Sequence, residues 1–182
     1  GILENQAPNK HLRMKVHVEN GEVKADPAKD VAKIALVERH HNSGKVFVGL
    51  INGMKLKPGC ALGSTVAHDC HQMIIVGSDD EMMAMAANEL AAMGGGQIAV
   101  KDGKVVGKVV LPVAGLMSDQ PAEVVAAEAA TVLEGFRQCG CDLNNANMQL
   151  SLMALVVIPE LRISDMGLLD VLSRKFISVL EG

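Results

Sequence analysis

Three turn dipeptides limit what this chain can fold into: Asn20-Gly21, Asn52-Gly53 and Asp102-Gly103. Each is flanked by alternating apolar and polar residues, in "MKVHVENGEVKA", "VFVGLINGMKL" and "GQIAVKDGKVVGKVVL". A two-residue hairpin needs positive φ at its centre, which Gly adopts freely and Asn and Asp tolerate, so the three pairs predict three antiparallel hairpins. The runs "IALV" (34–37) and "MIIV" (73–76) do not alternate and predict buried strands.

Helices are predicted between these strands. Ser78, followed by Asp79, Asp80 and Glu81, reads as the cap and acidic first turn of a helix reaching Met93. Gly94-Gly95-Gly96 then reads as a C-cap leading into a strand, because phosphate-binding glycine loops precede helices rather than follow them. A second helix is predicted from about Pro121 to Cys139, with "EVVAAEAATVLEGF" as its amphipathic body. "LSLMALVVI" (150–158) reads as a final buried strand closed by Pro159. Strands and hairpins interrupted by two long helices, without regular βαβ alternation, predict an α+β fold: a mixed, mainly antiparallel sheet covered by those helices. Residues 1–182 are expected to form a single domain, with residues 1–30, ending in "DPAKD", as an appended hairpin.

Composition narrows the function. With three Phe, no Trp, no Tyr and a net charge of -4, the chain has neither the stacking platforms nor the basic groove of a single-strand nucleic-acid binder. Eleven Met join Val, Ile, Leu and Ala in the expected core. The longest apolar run, Leu152 to Ile158, is too short to span a bilayer, and "GILENQAPNKHLRMK" lacks a signal-peptide core, so a cytoplasmic protein without membrane contact is expected. Cys60, Cys70, Cys139 and Cys141 show no CxxC spacing and read as reduced, structural thiols.

No standard catalytic motif is complete. His17-Val18-Glu19 supplies the first half of the short zinc-deaminase signature, but no Pro-Cys-x-x-Cys follows. HExxH, the Walker A loop and a strand-linked GxGxxG are absent. What remains is "VERHHNSG" (37–44) together with "VAHDCHQM" (66–73): His40 and His41 lie just past one predicted strand, and His68, Asp69 and His71 just before another. Taken singly, each histidine reads as a solvated loop residue; clustered at strand ends, three imidazoles and a carboxylate read as a functional site. In an extended segment His68 and His71 face opposite sides, whereas a turn brings them together. His11 and His17 lie apart and read as surface residues.

The stretch "VAHDCHQMIIVGSDDEMMAMAANELAAMGGGQIAVKDGKVVGKVVLPVAGLMSD" resembles the C-terminal domain of the bacterial and archaeal adenine deaminases of the amidohydrolase superfamily. "IALVERHH" before it and "LSLMALVVIPELRISDMGLLDV" after it resemble the same family in the same order. The chain departs from the family's HDSHN-like motif at Cys70 and Gln72, where Ser and Asn are expected; Gln72 keeps the amide, while Cys70 keeps the size and weakens hydrogen bonding.

The resemblance implies hydrolysis of adenine to hypoxanthine and ammonia by a metal-activated water held in a barrel domain that precedes this region. The divalent metal (manganese, iron or zinc) is then bound mainly by that barrel, and no metal ligand is assigned in this chain. The expected partners are adenine or a related purine, the barrel domain of the same enzyme, and further copies in a homo-oligomer. His68, Asp69 and His71 are expected as accessory catalytic groups, with His40, Ser118 and Asp119 contacting substrate. The alternative is a stand-alone, non-catalytic purine-binding or scaffold domain that has kept the fold without the chemistry.

Overall fold

A computed structural model describes residues 1–181. Asn20-Gly21 turns a two-stranded hairpin, β1 (His17–Glu19) and β2 (Glu22–Lys24). The six-stranded sheet is built from β3 (Val31–Val37), β4 (Val46–Asn52), β5 (Cys60–Ser64), β6 (Met73–Gly77), β7 (Gly96–Lys101) and β8 (Lys104–Val110). Its order is β4-β3-β6-β5-β7-β8, and all of its pairings are antiparallel. The helices are α1 (Asp80–Ala92), α2 (Ala122–Gln138) and the short α3 (Ala146–Leu152). A three-stranded sheet follows, from β9 (Leu161–Ser164), β10 (Gly167–Asp170) and β11 (Lys175–Ile177).

The apolar runs without alternation are explained by helices on both faces of the large sheet. Ala35, Ala61, Ile75, Ile98 and Val100 pack with Met83, Ala86 and Leu90 of α1. Their strand neighbours Ile34, Leu36, Leu62, Ile74, Val76 and Ala99 pack with Val132 and Phe136 of α2 and Leu150 of α3. All of Met73 to Val76 is buried, and each such side chain contributes roughly 1.5–3 kcal/mol. The α2 helix reaches β8 at backbone distance, since a Cβ on Gly107 would lie 2.1 Å from the Thr131 carbonyl oxygen.

The helix ends follow from the predicted signals with one change. The N-cap of α1 is Asp79, whose carboxylate accepts from the Met82 amide at 3.0 Å. Ser78 instead donates to the Lys57 carbonyl at 2.7 Å and accepts from the Cys60 amide at 3.1 Å, tying down the start of β5. At the other end, Gly94 N–H bonds the Ala91 carbonyl and Gly95 N–H bonds that of Leu90, with Gly94 at φ 78°, so the triple glycine is a C-cap leading into β7.

Two further expectations fail. Asn52-Gly53 is a turn but not a hairpin: β4 pairs with β3, and the residues after Gly53 form no strand until Cys60. Asp30 is the physical reason, because its carboxylate accepts from the amides of Gly53 at 2.9 Å and Lys55 at 2.6 Å and turns the chain away from β4. The hairpin that forms there is β3–β4, through the loop 38–45 that carries His40 and His41. "LSLMALVVI" is likewise no strand: its first three residues end α3, and turns follow to Pro159. Ala146, Leu150 and Met153 are buried at helical spacing, a period hidden inside a continuous apolar run. The fully buried Arg162 fixes the turns by donating to the carbonyls of Ile158, Leu152 and Ala7 at 2.6, 2.9 and 2.6 Å.

Candidate functional site

The antiparallel pairing of β3 with β6 sets Val37 opposite Met73, so the loop leaving β3 and the loop entering β6 emerge side by side. His40 comes from the first loop, His68 and His71 from the second. The loops are joined directly: His40 Nε2–H donates to the Cys70 carbonyl at 2.8 Å, and Arg39 N–H donates to Oε1 of the buried Gln72 at 2.9 Å.

Glu38 shapes the first loop. It is buried, and its carboxylate accepts from the amides of His40 at 2.6 Å, His41 at 2.8 Å and Ser43 at 3.1 Å, and from the Ser43 hydroxyl at 2.7 Å. The Ser43 hydroxyl, the Ser43 amide and the two histidine amides hold this carboxyl well below the usual carboxylate range. The loop therefore turns around a fixed anion, leaving His40 and His41 exposed on its outside.

The second loop is a turn rather than an extended segment. His71 N–H bonds the Ala67 carbonyl at 2.7 Å, and His71 itself takes φ 48°. This brings the rings of His68 and His71 to 5.9 Å, edge to face. Burial and the neighbouring His68 push the His71 imidazole below its ordinary pKa; Asp69 opposes the shift, and the positive charge of Arg39, with His40, adds to it. His71 is thus a neutral group at neutral pH.

Asp69 is exposed, and among the described residues it makes no hydrogen bond to either ring. The side chain on His68 Nδ1 is Ser151 of α3, whose hydroxyl also accepts from the His68 amide at 3.2 Å. Ser118 and Asp119 bond locally to Gln120, at 3.2 and 2.9 Å, which closes the turn before α2. Their loop is nonetheless anchored to the cluster: Arg39 donates to the carbonyls of His71 at 2.6 Å and Ala114 at 2.7 Å, and the Thr65 hydroxyl donates to that of Gly115 at 2.6 Å.

Among the described residues no three His, Cys, Asp or Glu side chains group so as to hold a metal ion, so the site does not fit a divalent cation. Nor does it line a groove of about 310 Å³ that lies between Leu12, Met14, Leu50, Ile163 and Leu180. Cys60, Cys139 and Cys141 are buried free thiols and Cys70 an exposed one. No helix among the described residues is long and apolar enough to cross a membrane.

Glu38, Arg39 and Ser151 are the site residues that sequence reasoning did not single out. Glu38 and Arg39 stand next to the histidines, and a carboxylate followed closely by His, His and Ser is a legible loop-capping signal. Ser151 is 83 residues from His68 and carried no such signal.

A family model described as the adenine deaminase C-terminal domain matches residues 6–175. The chain is 55% identical to adenine deaminase 3 of Rhizobium meliloti over 94% of its own length and 29% of that protein. It is 54% identical to the adenine deaminase of Roseobacter denitrificans, over 100% of this chain and 30% of the relative. That of Moorella thermoacetica is 44% identical, again over 100% of this chain and 30% of the relative. The chain thus spans about 30% of the length of the curated relatives it matches.

Proposed function

The chain belongs to the adenine deaminase C-terminal domain family, and from that premise we propose that it acts as the C-terminal part of a longer adenine deaminase, with its strand-end histidine loops turned toward the bound purine. One observation carries the proposal: His40, His68 and His71, from two loops distant in sequence, meet at one end of a rigid sheet. Side chains held by a sheet and presented on loops can contact a ligand without the fold having to move.

In this reading His71 and His68 hydrogen-bond the purine, and the two loops help exclude water from it. Asp69, exposed beside them, is the acceptor available to an exocyclic amine. Ser118 and Asp119 serve the site through the loop that Arg39 anchors. The divalent metal that the family resemblance implies is assigned to no residue of this chain. Its partners are adenine or a related purine and the remainder of the enzyme, in the cytoplasm.

The test is kinetic, in a complete adenine deaminase carrying this chain. His68→Ala and His71→Ala are expected to lower kcat/KM for adenine roughly ten- to a thousandfold, the range for lost positioning or proton-transfer groups, with folding retained. Unchanged kinetics in both variants would sink the proposal. The isolated chain is expected to release no ammonia from adenine; release that is lost on substituting these histidines would instead assign the whole reaction to it.

A further inference from the structure

The geometry points to Ser151 as the positioning residue that fixes His68 as an Nε2–H hydrogen-bond donor. Only the role of that donor rests on the proposal that the histidine loops face a purine; the assignment of the tautomer does not.

The argument counts protons. Ser151 is 2% exposed, and among the described residues its Oγ has two partners, both on His68: the backbone amide and ring Nδ1. The amide can only donate, so it occupies a lone pair of Oγ. The hydroxyl has a single hydrogen, and Nδ1 is the one acceptor bonded to Oγ among the described residues. If Nδ1 carried the ring proton, Oγ would receive two N–H donors while its own hydrogen was buried with no acceptor, the expensive arrangement for a polar group. With Nδ1 accepting, all three groups are satisfied. The ring proton of the neutral imidazole then sits on Nε2.

The serine is well placed to impose this. It belongs to α3, whose Ala146 and Leu150 are packed in the core, so the hydroxyl is held by the interior rather than by the loop it orients. His71 differs, since its Nδ1 is buried with no partner among the described residues and no hydrogen bond selects its tautomer. Of the two adjacent rings, His68 is therefore the one with a fixed polarity. It offers N–H to an acceptor such as an unprotonated purine ring nitrogen, and it opposes a ligand that presents N–H at the same point.

Nitrogen-15 NMR of this 182-residue chain at mildly alkaline pH tests the assignment. The expected result is an Nε2-protonated His68 and a slowly exchanging Ser151 hydroxyl proton coupled across its hydrogen bond to Nδ1. Ser151→Ala is expected to raise the Nδ1-protonated fraction, and Ser151→Thr, which keeps the hydroxyl, to restore the wild-type pattern. A wild-type His68 protonated at Nδ1, or a tautomer ratio unaffected by Ser151→Ala, would overturn the inference; the wild-type spectrum decides even if the alanine variant does not fold. In a complete enzyme Ser151→Ala is expected to raise KM for adenine roughly three- to tenfold, the loss of about one oriented hydrogen bond, with threonine rescuing it. If the spectra show the Nε2–H tautomer while His68→Ala leaves adenine kinetics unchanged, the purine-facing proposal fails and the assignment of Ser151 stands.

Discussion

Arg39 donates from Nε to the main-chain carbonyl of His71 at 2.6 Å, so a cation from one strand-end loop holds the backbone of the other. The same guanidinium reaches the Ala114 carbonyl, and its planar fork is what allows one side chain to bind two separate segments.

Arg39→Lys is therefore not a conservative change here. A lysine ammonium reaches one carbonyl at a time, and hydrogen bonds to charged groups contribute roughly 1.5–3 kcal/mol. Loss of one should lower the stability of the chain by about 1–2 kcal/mol in denaturant unfolding. Amide exchange should quicken around residues 71–72 and 114–116. Unchanged exchange there would show that the strands alone hold the loops.

The lowered pKa of His71 makes stability depend on pH in a definite direction. Well above pH 6.5, the ordinary imidazole value, both folded and unfolded states are neutral at this residue. As the pH falls below that value the unfolded chain takes up the proton first, so stability declines until the pH also passes the folded-state pKa, and then levels off. The unfolding midpoint of the wild type should therefore drop between pH 7.5 and 5.5 by more than that of His71→Gln. The comparison isolates His71 from the titratable groups around it, His68, Asp69 and His40, with the permanent charge of Arg39 common to both. Equal slopes in the two proteins would remove the effect.

Glu38 acts in the opposite sense. Its folded-state pKa is depressed, so its contribution is complete above the unfolded value of about 4.3 and is lost only as the pH falls through the lower folded one. The loop 38–45 should therefore stay protected from amide exchange at pH 5, where His71 has begun to destabilise the chain. Glu38→Gln replaces one carboxylate oxygen by a donor facing other donors, and it should expose the amides of His40, His41 and Ser43 at every pH. Wild-type exchange rates in that variant would mean that the loop holds its shape without the anion.

Gly107 tests the packing rather than the site. Gly107→Ala sets a methyl group 2.1 Å from the Thr131 carbonyl oxygen, and helix backbone cannot yield as a flexible side chain can. A loss of about 1–3 kcal/mol is expected, the usual cost of overpacking. The NMR shifts of His68 and His71 should stay unchanged if the damage is confined to the contact between α2 and β8.

The sequence was informative where local chemistry decided the structure. Asn20-Gly21, Asp102-Gly103 and the triple glycine act through their own backbone preferences, and each forms what it predicts. Asn52-Gly53 has the same preference, but the carboxylate of Asp30, more than 20 residues upstream, turns the chain elsewhere. The apolar run beginning at Leu150 satisfied both a strand and a helix pattern, and the burial of Ala146 and Met153 beside the sheet decided between them. The same distinction governs the site. His40, His68 and His71 are visible as residue types at strand ends, whereas the serine that orients His68 belongs to α3, whose helical period is hidden in a continuous apolar run.

The register that sets Val37 opposite Met73 also determines when the histidines can meet. Until that ladder closes, the loops 38–45 and 65–72 are separate pieces of chain with all of β4 and β5 between them. Such a non-local contact forms more slowly than a hairpin whose strands are neighbours in sequence. Approach of His40 to the His68–His71 pair thus belongs to the closing of that ladder rather than to either loop, and in a nascent chain it waits until β6 has left the ribosome and docked against β3.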